Sequence, residues 1–166
     1  YGVELLVCSS LNRNSGTMVR EKTKMEKMLI SGVAADKNVA KIRVAGLGND
    51  PESTFRLLNL LDRNNLNIDV MIQSLGKDGT KSVSFTVTKP DMLRTIDVLN
   101  DNKDSLGIKK LDYDENVAKV SVIGAGVRSH SGVAAKMFGA LANAGINTEM
   151  VTTSEIRITA LIDEAY

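Results

Sequence analysis

The sequence is short of the residues on which disulfide scaffolds, metal sites and aromatic cores depend. It has one cysteine, one histidine, two prolines and no tryptophan, and only 4% of its residues are aromatic. Cys8 alone cannot form an intramolecular disulfide, which fits a protein of the reducing cytoplasm. No apolar run approaches the roughly 18 residues of a membrane span, and no signal-peptide pattern opens the chain. The net charge of +1 favours neither nucleic acid nor an anionic membrane as a partner.

The same scarcity argues against catalysis within this chain. His130 is the only histidine, so a Ser-His-Asp set is hard to build, and neither a Cys/His cluster nor an acidic cage predicts a metal site. Gly46-x-Gly48 and Gly124-x-Gly126 follow predicted strands, as glycines of phosphate loops do. However, the third glycine of a dinucleotide fingerprint and the GK[ST] of a P-loop are missing. We therefore predict no catalytic residue and no metal, and a nucleotide site is disfavoured.

What the chain does have is an internal repeat with an aliphatic core. Apolar residues make up 43% of the sequence, enough for one large domain or two small ones. Ala40–Gly48 aligns with Ala118–Gly126 at an offset of 78 residues, and Asn65–Ser74 aligns with Gly145–Ser154 at an offset of 80. The change of offset places a two-residue insertion in the intervening loop of the second copy. Two related structural units are therefore predicted.

The first unit alternates between strand and helix periodicity. Ile42 and Val44 alternate with polar neighbours, as in a half-buried strand, and Asn49-Asp50-Pro51 then offers a polar cap and a proline at the first helical position. The apolar stripe of this helix is predicted to be core and consists of Phe55, Leu57, Leu58 and Leu61. Later elements are a strand over 68–72, a strand over 82–88, a helix over 89–107 with Met92, Leu93, Ile96 and Leu99 as its core stripe, and a strand over 108–114. The order is βαββαβ.

The second unit repeats this order only in part. Its predicted elements are the strand Val117–Ile123, the helix Gly132–Ala144, and the strands Thr148–Thr152 and Ile156–Ile162. The sequence then stops where a second helix should begin, so the second unit is predicted to lack its last helix and its fourth strand. Because the chain opens mid-pattern with "YGVELLVCSS", we expect it to be a fragment of something longer. Met28–Ala34 is a candidate replacement strand, which predicts that the first unit is inserted within the second.

Adjacent strands between helices indicate an α+β fold with antiparallel sheets and helices on one face, the ferredoxin-like arrangement. We assign residues 38–113 to the first unit. Residues 26–37 and 114–166 form the second unit, with its last helix truncated. Residues 1–25 are predicted to be a tail from a missing domain, with a strand in "VELLVCSS" and a turn in "LNRNSGTMV".

The start of each first helix suggests a ligand. A glycine-containing loop at a helix N-terminus holds small anions, because free N–H groups and the helix dipole favour a carboxylate. "LGNDPE" and "GVRSHSG" are such loops, and the matched residues Asp69 and Glu149 could meet an ammonium group. An amino acid carries both groups. Each of these polar residues could equally be a solvated strand or loop position, and His130 could simply cap its helix.

Several stretches together resemble one protein family. "SGVAADKNVAKIRVAG", "NIDVMIQS", "VSVIGAGVRSHSGVAAKMFGALANAGIN" and "TSEIRITALI" are similar to the C-terminal regulatory region of aspartate kinases, and the similarity covers about residues 2 to 166. The resemblance implies two ACT domains, the first inserted in the second, and a role in feedback control of aspartate-family amino-acid biosynthesis. It also implies that lysine, threonine or both bind between ACT domains of paired chains. ATP and Mg²⁺ would belong to a missing kinase domain, and this chain would hold no cofactor.

The resemblance also implies effector-binding residues. One half-site maps to Asn49, Glu52, Thr54 and Gln73, and its partner half maps to the backbone at Asn147 and Thr148. A related site maps to His130, Val133, Phe138, Thr153, Ser154 and Glu155, with Asn67 and Asp69 opposite. The first loop departs from the family's usual Asp-Lys-Pro-Gly, because Glu52 stands at the glycine position, and Ser131 replaces a proline in the second loop.

Glu52 would weaken the binding of a ligand carboxylate by roughly 1 to 4 kcal/mol if the two negative charges approach to about 4 Å. The sequence therefore predicts an impaired first-unit site. Two alternatives remain open at this stage: an amino-acid sensor of another metabolic enzyme, or a purely dimerising ACT module whose pocket has decayed.

Overall fold

The computed structural model describes residues 5–8, 17–19, 30–129 and 132–166. The strands are β1 (Leu5–Val7), β2 (Thr17–Val19), β3 (Gly32–Leu47), β4 (Met71–Leu75), β5 (Lys81–Val87), β6 (Lys110–Ile123), β7 (Met150–Thr153) and β8 (Arg157–Asp163). The helices are α1 (Pro51–Arg63), α2 (Lys89–Asp101), α3 (Lys103–Leu106), α4 (Gly126–Ser129) and α5 (Gly132–Asn143). None of the helices within these ranges is long and apolar enough to span a membrane.

One antiparallel six-stranded sheet holds both units together. Its strand order is β4-β5-β3-β6-β8-β7, while β1 and β2 pair separately. The long strands β3 and β6 pair with each other from Gly32↔Ile123 to Ala45↔Lys110. β5 then pairs with the C-terminal half of β3, and β8 pairs with the C-terminal half of β6. Each unit therefore uses one half of each central strand, and the repeat-matched strands β4 and β7 form the two edges.

Helix α1 forms where the sequence predicts it, but its buried face is narrower than expected. Asp50 caps the helix and Pro51 is its first residue, while Leu57 and Leu61 are buried. Phe55 is 65% exposed, so its prediction as core was wrong. The reason is that Phe55 lies about 200° around the helix from Leu57, at about 100° per residue, so it faces away from the core that covers Leu57 and Leu61.

The second predicted helix is also shorter than expected, and its buried face is narrower. Met92, Ile96 and Leu99 are buried, but Leu93 is 66% exposed and does not belong to the core. The helix ends at Asp101, and the short α3 continues to Gly107, whose left-handed φ of 71° closes the segment.

Each unit has its own apolar core. The core of the first unit joins β3 and β5 to α1 and α2 through Ile42, Phe85, Leu57 and Leu99. The core of the second unit packs α5 against β6 and β8. A third cluster, which we call the seam, contains Val39, Val70, Val117, Met150 and Leu161. Val39 matches Val117 and Val70 matches Met150 in the repeat, so the two units meet through equivalent residues.

The α+β fold class is confirmed, while several boundaries shift. β4 begins at Met71 rather than at 68, β7 begins at Met150 rather than at 148, and the helical turn α4 was not predicted. Within the predicted strand Met28–Ala34, the structure begins β3 at Gly32, and residues 28 and 29 lie outside the described residues. In the tail, β2 forms at Thr17–Val19, where the sequence had suggested a turn. The exact residue limits of the two domains stay a prediction.

Candidate functional site

The start of α1 is built around the carboxylate of Asp50. Its Oδ1 accepts hydrogen bonds from the backbone N–H groups of Glu52 and Ser53, at 3.0 and 2.8 Å. Asp50 is extended, with φ −102° and ψ 159°, which is the usual geometry of an N-cap residue. Pro51 follows as a first helical residue that has no N–H to satisfy. The predicted polar cap is thus present, and it is made by Asp50 itself.

A buried hydroxyl and a lysine fix this helix start to the sheet. Ser53 is 1% exposed, and its hydroxyl donates to the carbonyl oxygen of Gly48 at 2.6 Å. The ammonium group of Lys81, at the start of β5, donates to the carbonyl oxygen of Asp50 at 2.6 Å and to the Ser53 hydroxyl at 3.3 Å. The loop between β3 and α1 is therefore held rigidly at the end of the sheet.

Two residues of the predicted first half-site meet at the sheet edge. The Thr54 hydroxyl donates to the side-chain oxygen of Gln73 at 2.6 Å, which joins α1 to the edge strand β4. Asn49 and Glu52 are exposed in the same loop and first turn. Asn147 and Thr148 are also exposed, but they lie between α5 and β7 in the second unit. Within one chain, the structure brings together Thr54 and Gln73, whereas Asn147 and Thr148 belong to the other unit.

The second predicted site is more dispersed. Val133 is 3% exposed and packs in the core of the second unit, with Phe138 partly buried against it. Thr153 ends the edge strand β7, and the backbone N–H of Ser154 donates to the carbonyl oxygen of Arg157 at 2.7 Å. Glu155 lies exposed in the same turn. His130, the residue that made this loop notable in the sequence, lies outside the described residues.

The matched acidic residues do meet ammonium groups, but these belong to the chain itself. Asp69 forms an ion pair with Lys119, and Glu149 forms an ion pair with Lys41. Lys41 and Lys119 occupy equivalent positions in the repeat, as do Asp69 and Glu149, so the two pairs are reciprocal contacts between the units. Sequence reasoning missed the lysines, although the shared offset of 78 residues was a signal that could have found them.

Lys119 lies between two carboxylates. Its Nζ is 3.3 Å from Asp36 Oδ2, in addition to the ion pair with Asp69, and its side chain is 16% exposed. Partial burial opposes the ammonium, but the hydrogen bonds and charges of Asp69 and Asp36 outweigh it and raise the pKa of Lys119 above its ordinary value. Lys119 therefore carries its charge at neutral pH and offsets these two acids.

Two pockets lie near these features. A small pocket of about 120 Å³ is lined by Asp36, Asn67, Asp69, Thr88 and Lys119, among others, and so includes the two residues predicted to lie opposite the second site. An apolar pocket of about 330 Å³ lies between α5 and strands β3 and β6. No group of three or more potential metal ligands is found in the part of the chain that the structure describes. The polar groups described above form ion pairs and hydrogen bonds, and such groups can bind a small polar ligand.

Comparison with known proteins identifies this architecture. A family model described as "ACT domain" matches residues 120–166. The chain is 36% identical over 169 residues to the aspartokinase of Pseudomonas aeruginosa, and the match covers 100% of the chain but 41% of that relative. It thus spans about two fifths of the length of the curated relatives it matches.

Solved structures match the region more completely. A crystal structure of aspartokinase alpha and beta subunits contains a chain with 43% identity and a TM-score of 0.76, which covers 82% of this chain and 90% of that one. The ligand-free regulatory subunit of aspartate kinase from Thermus thermophilus has 31% identity and a TM-score of 0.77, covering 83% and 91% of the two chains. The chain therefore belongs to the aspartokinase family and corresponds to its regulatory region of ACT domains.

Proposed function

We propose that this chain is the allosteric region through which an amino acid controls an aspartate kinase. Lysine, threonine or both bind between ACT domains of paired chains, and their binding inhibits the phosphorylation of aspartate by a kinase domain. ATP and Mg²⁺ are bound by that kinase domain. The products of this pathway are the effectors, so the region gives feedback control of lysine, threonine and methionine biosynthesis in the cytoplasm.

The observation that carries the proposal is the position of Thr54 and Gln73. Their side chains meet at 2.6 Å on the edge strand β4, and Gln73 remains exposed there. β4 pairs only with β5 within the described residues, so its outer edge offers unpaired backbone groups. Such an edge favours pairing with another chain. A second chain at this edge would place an amino acid in contact with both partners.

The second unit supports the same interpretation. Thr153 occupies the position in β7 that Gln73 occupies in β4, and β7 is the other edge of the sheet. Pairing of β4 with the β7 edge of a second copy would generate two equivalent sites in a homodimer. The predicted half-site at Asn147 and Thr148 would then face the first-unit loop of the partner chain.

Allosteric control requires that the effector prefers one arrangement of chains. A ligand can shift an equilibrium only by the difference between its affinities for the two states. A coupling of about 1–3 kcal/mol, typical of allosteric proteins, would change the affinity of the coupled site by about 5- to 150-fold. A contact surface that belongs to two chains is well suited to supply this difference.

The ion pairs restrict where the effector ammonium can bind. Asp69 and Glu149 already neutralise Lys119 and Lys41. An effector that used either carboxylate would have to displace a lysine of the chain. We therefore place the ammonium of the effector nearer to Glu52 and Gln73, where the exposed carboxylate and amide oxygens are accessible.

Isothermal titration calorimetry tests the proposal directly. The chain should bind lysine or threonine, alone or together, and light scattering should show a dimer. Gln73→Ala should weaken this binding, while Asn100→Ala, which removes an exposed amide from α2, should leave it unchanged. A chain that binds neither amino acid at millimolar concentration, yet forms a dimer, would instead support the alternative of a purely dimerising module.

Glu52 gives a second test of the same site. Glu52→Gly should change the affinity for the effector, and Glu52→Gln is the matched variant that removes the charge but keeps the size of the side chain. If the charge acts on the ligand, both variants should change the affinity in the same direction. Unchanged affinities in both variants would remove Glu52 from the site.

A further inference from the structure

We infer that the carboxylate of Asp50 occupies the N–H groups at the start of α1, so that the carboxylate of an amino acid cannot bind there. Asp50 thereby determines how the first unit can contact an effector. The inference rests on the proposed function only in naming the effector as an amino acid. It concerns a specific position: the N–H groups of the first helical turn.

The two N–H groups of the first turn of α1 already have a carboxylate as their acceptor. The first residue of α1 is Pro51, which has no N–H. The N–H groups of the next two residues, Glu52 and Ser53, both donate to Asp50 Oδ1, at 3.0 and 2.8 Å. Helix starts bind carboxylates and phosphates through such unsatisfied N–H groups. In this chain, the carboxylate that they bind is supplied by Asp50.

The surroundings of Asp50 are those of an anion site. Arg56 Nη2 lies 3.7 Å from Asp50 Oδ1. The Lys81 ammonium donates at 2.6 Å to the carbonyl oxygen of the same residue. One cation, Arg56, and two N–H groups therefore converge on the Asp50 carboxylate, while Lys81 holds the backbone of the same residue.

A ligand carboxylate meets two obstacles at this position. It would have to displace Asp50 from both N–H groups, and it would approach the exposed carboxylate of Glu52. Like charges at short range oppose binding. The first unit therefore contacts an effector through its ammonium group or side chain, and the carboxylate is bound by the partner half of the site.

Acetate titrations of the ¹⁵N-labelled 166-residue chain test this inference, with the amide signals of Glu52 and Ser53 observed by NMR at constant ionic strength. Three variants are compared with the unchanged chain. Asp50→Ala removes the internal anion, Asp50→Asn keeps a capping oxygen, and Asp62→Ala removes an exposed carboxylate near the other end of the same helix.

In Asp50→Ala, acetate should shift both amide signals in a saturable manner, because the two N–H groups are then free to bind an external carboxylate. The unchanged chain, Asp50→Asn and Asp62→Ala should show no saturable shift at these amides. Saturable shifts in the unchanged chain would overturn the inference, as would an Asp50→Ala chain that is folded and gains no binding. If Asp50→Ala fails to fold, a saturable shift in Asp50→Asn is the result that would refute it.

Calorimetry with lysine and threonine separates the two proposals. If neither amino acid binds to the unchanged chain, the proposed function fails, while the acetate result still decides the role of Asp50. If an amino acid binds and its addition shifts the Glu52 and Ser53 amides as acetate does in Asp50→Ala, the role of Asp50 fails and the proposed function stands.

Discussion

Replacing Lys119 with methionine should destabilise the chain more than replacing a lysine in an exposed ion pair. Lys119 is the best test because it joins the units, with a side chain that is 16% exposed and two acidic neighbours. Methionine keeps much of the length and apolar volume of the side chain but removes the charge. Asp36 and Asp69 would then lose their shared cation and repel each other.

The expected magnitude follows from distance and burial. At the 3.3 Å that separates Lys119 Nζ from Asp36 Oδ2, two unit charges attract by about 5 kcal/mol at an effective dielectric constant of about 20. Desolvation and lost side-chain entropy offset most of this attraction, because exposed pairs contribute only about 0–1 kcal/mol. Since the Lys119 side chain is partly buried and has two partners, we expect a loss of about 1–2 kcal/mol.

Urea unfolding of Lys119→Met and of a control, Lys110→Met, measures this difference. Lys110 also forms an ion pair, with Asp112 at 2.8 Å, but its side chain is 66% exposed. Its replacement should cost less than about 0.5 kcal/mol. A double-mutant cycle with Asp69→Asn should then give a favourable coupling energy between Lys119 and Asp69. Equal losses in the two methionine variants, or a coupling energy near zero, would refute the argument that these pairs connect the units.

Three further outcomes are expected. Leu57→Ala should lower the free energy of unfolding by about 2–5 kcal/mol, while Phe55→Ala should change it by less than about 0.5 kcal/mol, both measured by urea unfolding. Thr86→Val should cost about 1–3 kcal/mol in the same assay, because the buried Thr86 hydroxyl accepts a backbone N–H that would be left unsatisfied. The Thr80 backbone N–H and then its hydroxyl lower the pKa of Asp78, so Thr80→Val should raise that pKa part of the way to its ordinary value in an NMR titration. Because the folded pKa is depressed, the stability that Asp78 contributes is present above its ordinary pKa and is lost as pH falls through the folded value.

Local patterns were sufficient to predict most of the fold. The alternation at Ile42 and Val44 places both residues fully in the core, and the Asp50-Pro51 signal marks the first residue of α1 correctly. The matching offsets of the repeat also predicted two related units. These features depend on neighbours in sequence, which is why periodicity and capping rules could find them.

Features that depend on residues distant in sequence were harder to predict. Phe55 fits the helical spacing of an apolar stripe, yet it is exposed, because contacts with the sheet determine which residues of α1 are buried. Lys41 pairs with Glu149 across 108 residues, and a charged residue in a strand carries no mark of its partner. The sequence suggested Asp69 and Glu149 as acids that could meet the ammonium group of a ligand, and that role stays a prediction. The ammonium groups that they meet in the structure instead come from Lys41 and Lys119, which the repeat offset relates to each other but does not by itself pair with these acids.

The shared central strands suggest where an allosteric movement can occur. β3 has 16 residues and β6 has 14, and they pair along almost their entire length, so rotating one unit against the other would break ladder hydrogen bonds, the seam and both reciprocal ion pairs. Within the described residues, the outer sides of the edge strands β4 and β7 are not paired with another strand. Elements that have a single stable packing arrangement do not act as switches. An interface between chains can have two stable packing arrangements. If an amino acid controls paired chains as we propose, its binding should change the geometry between the chains while each chain moves as one body.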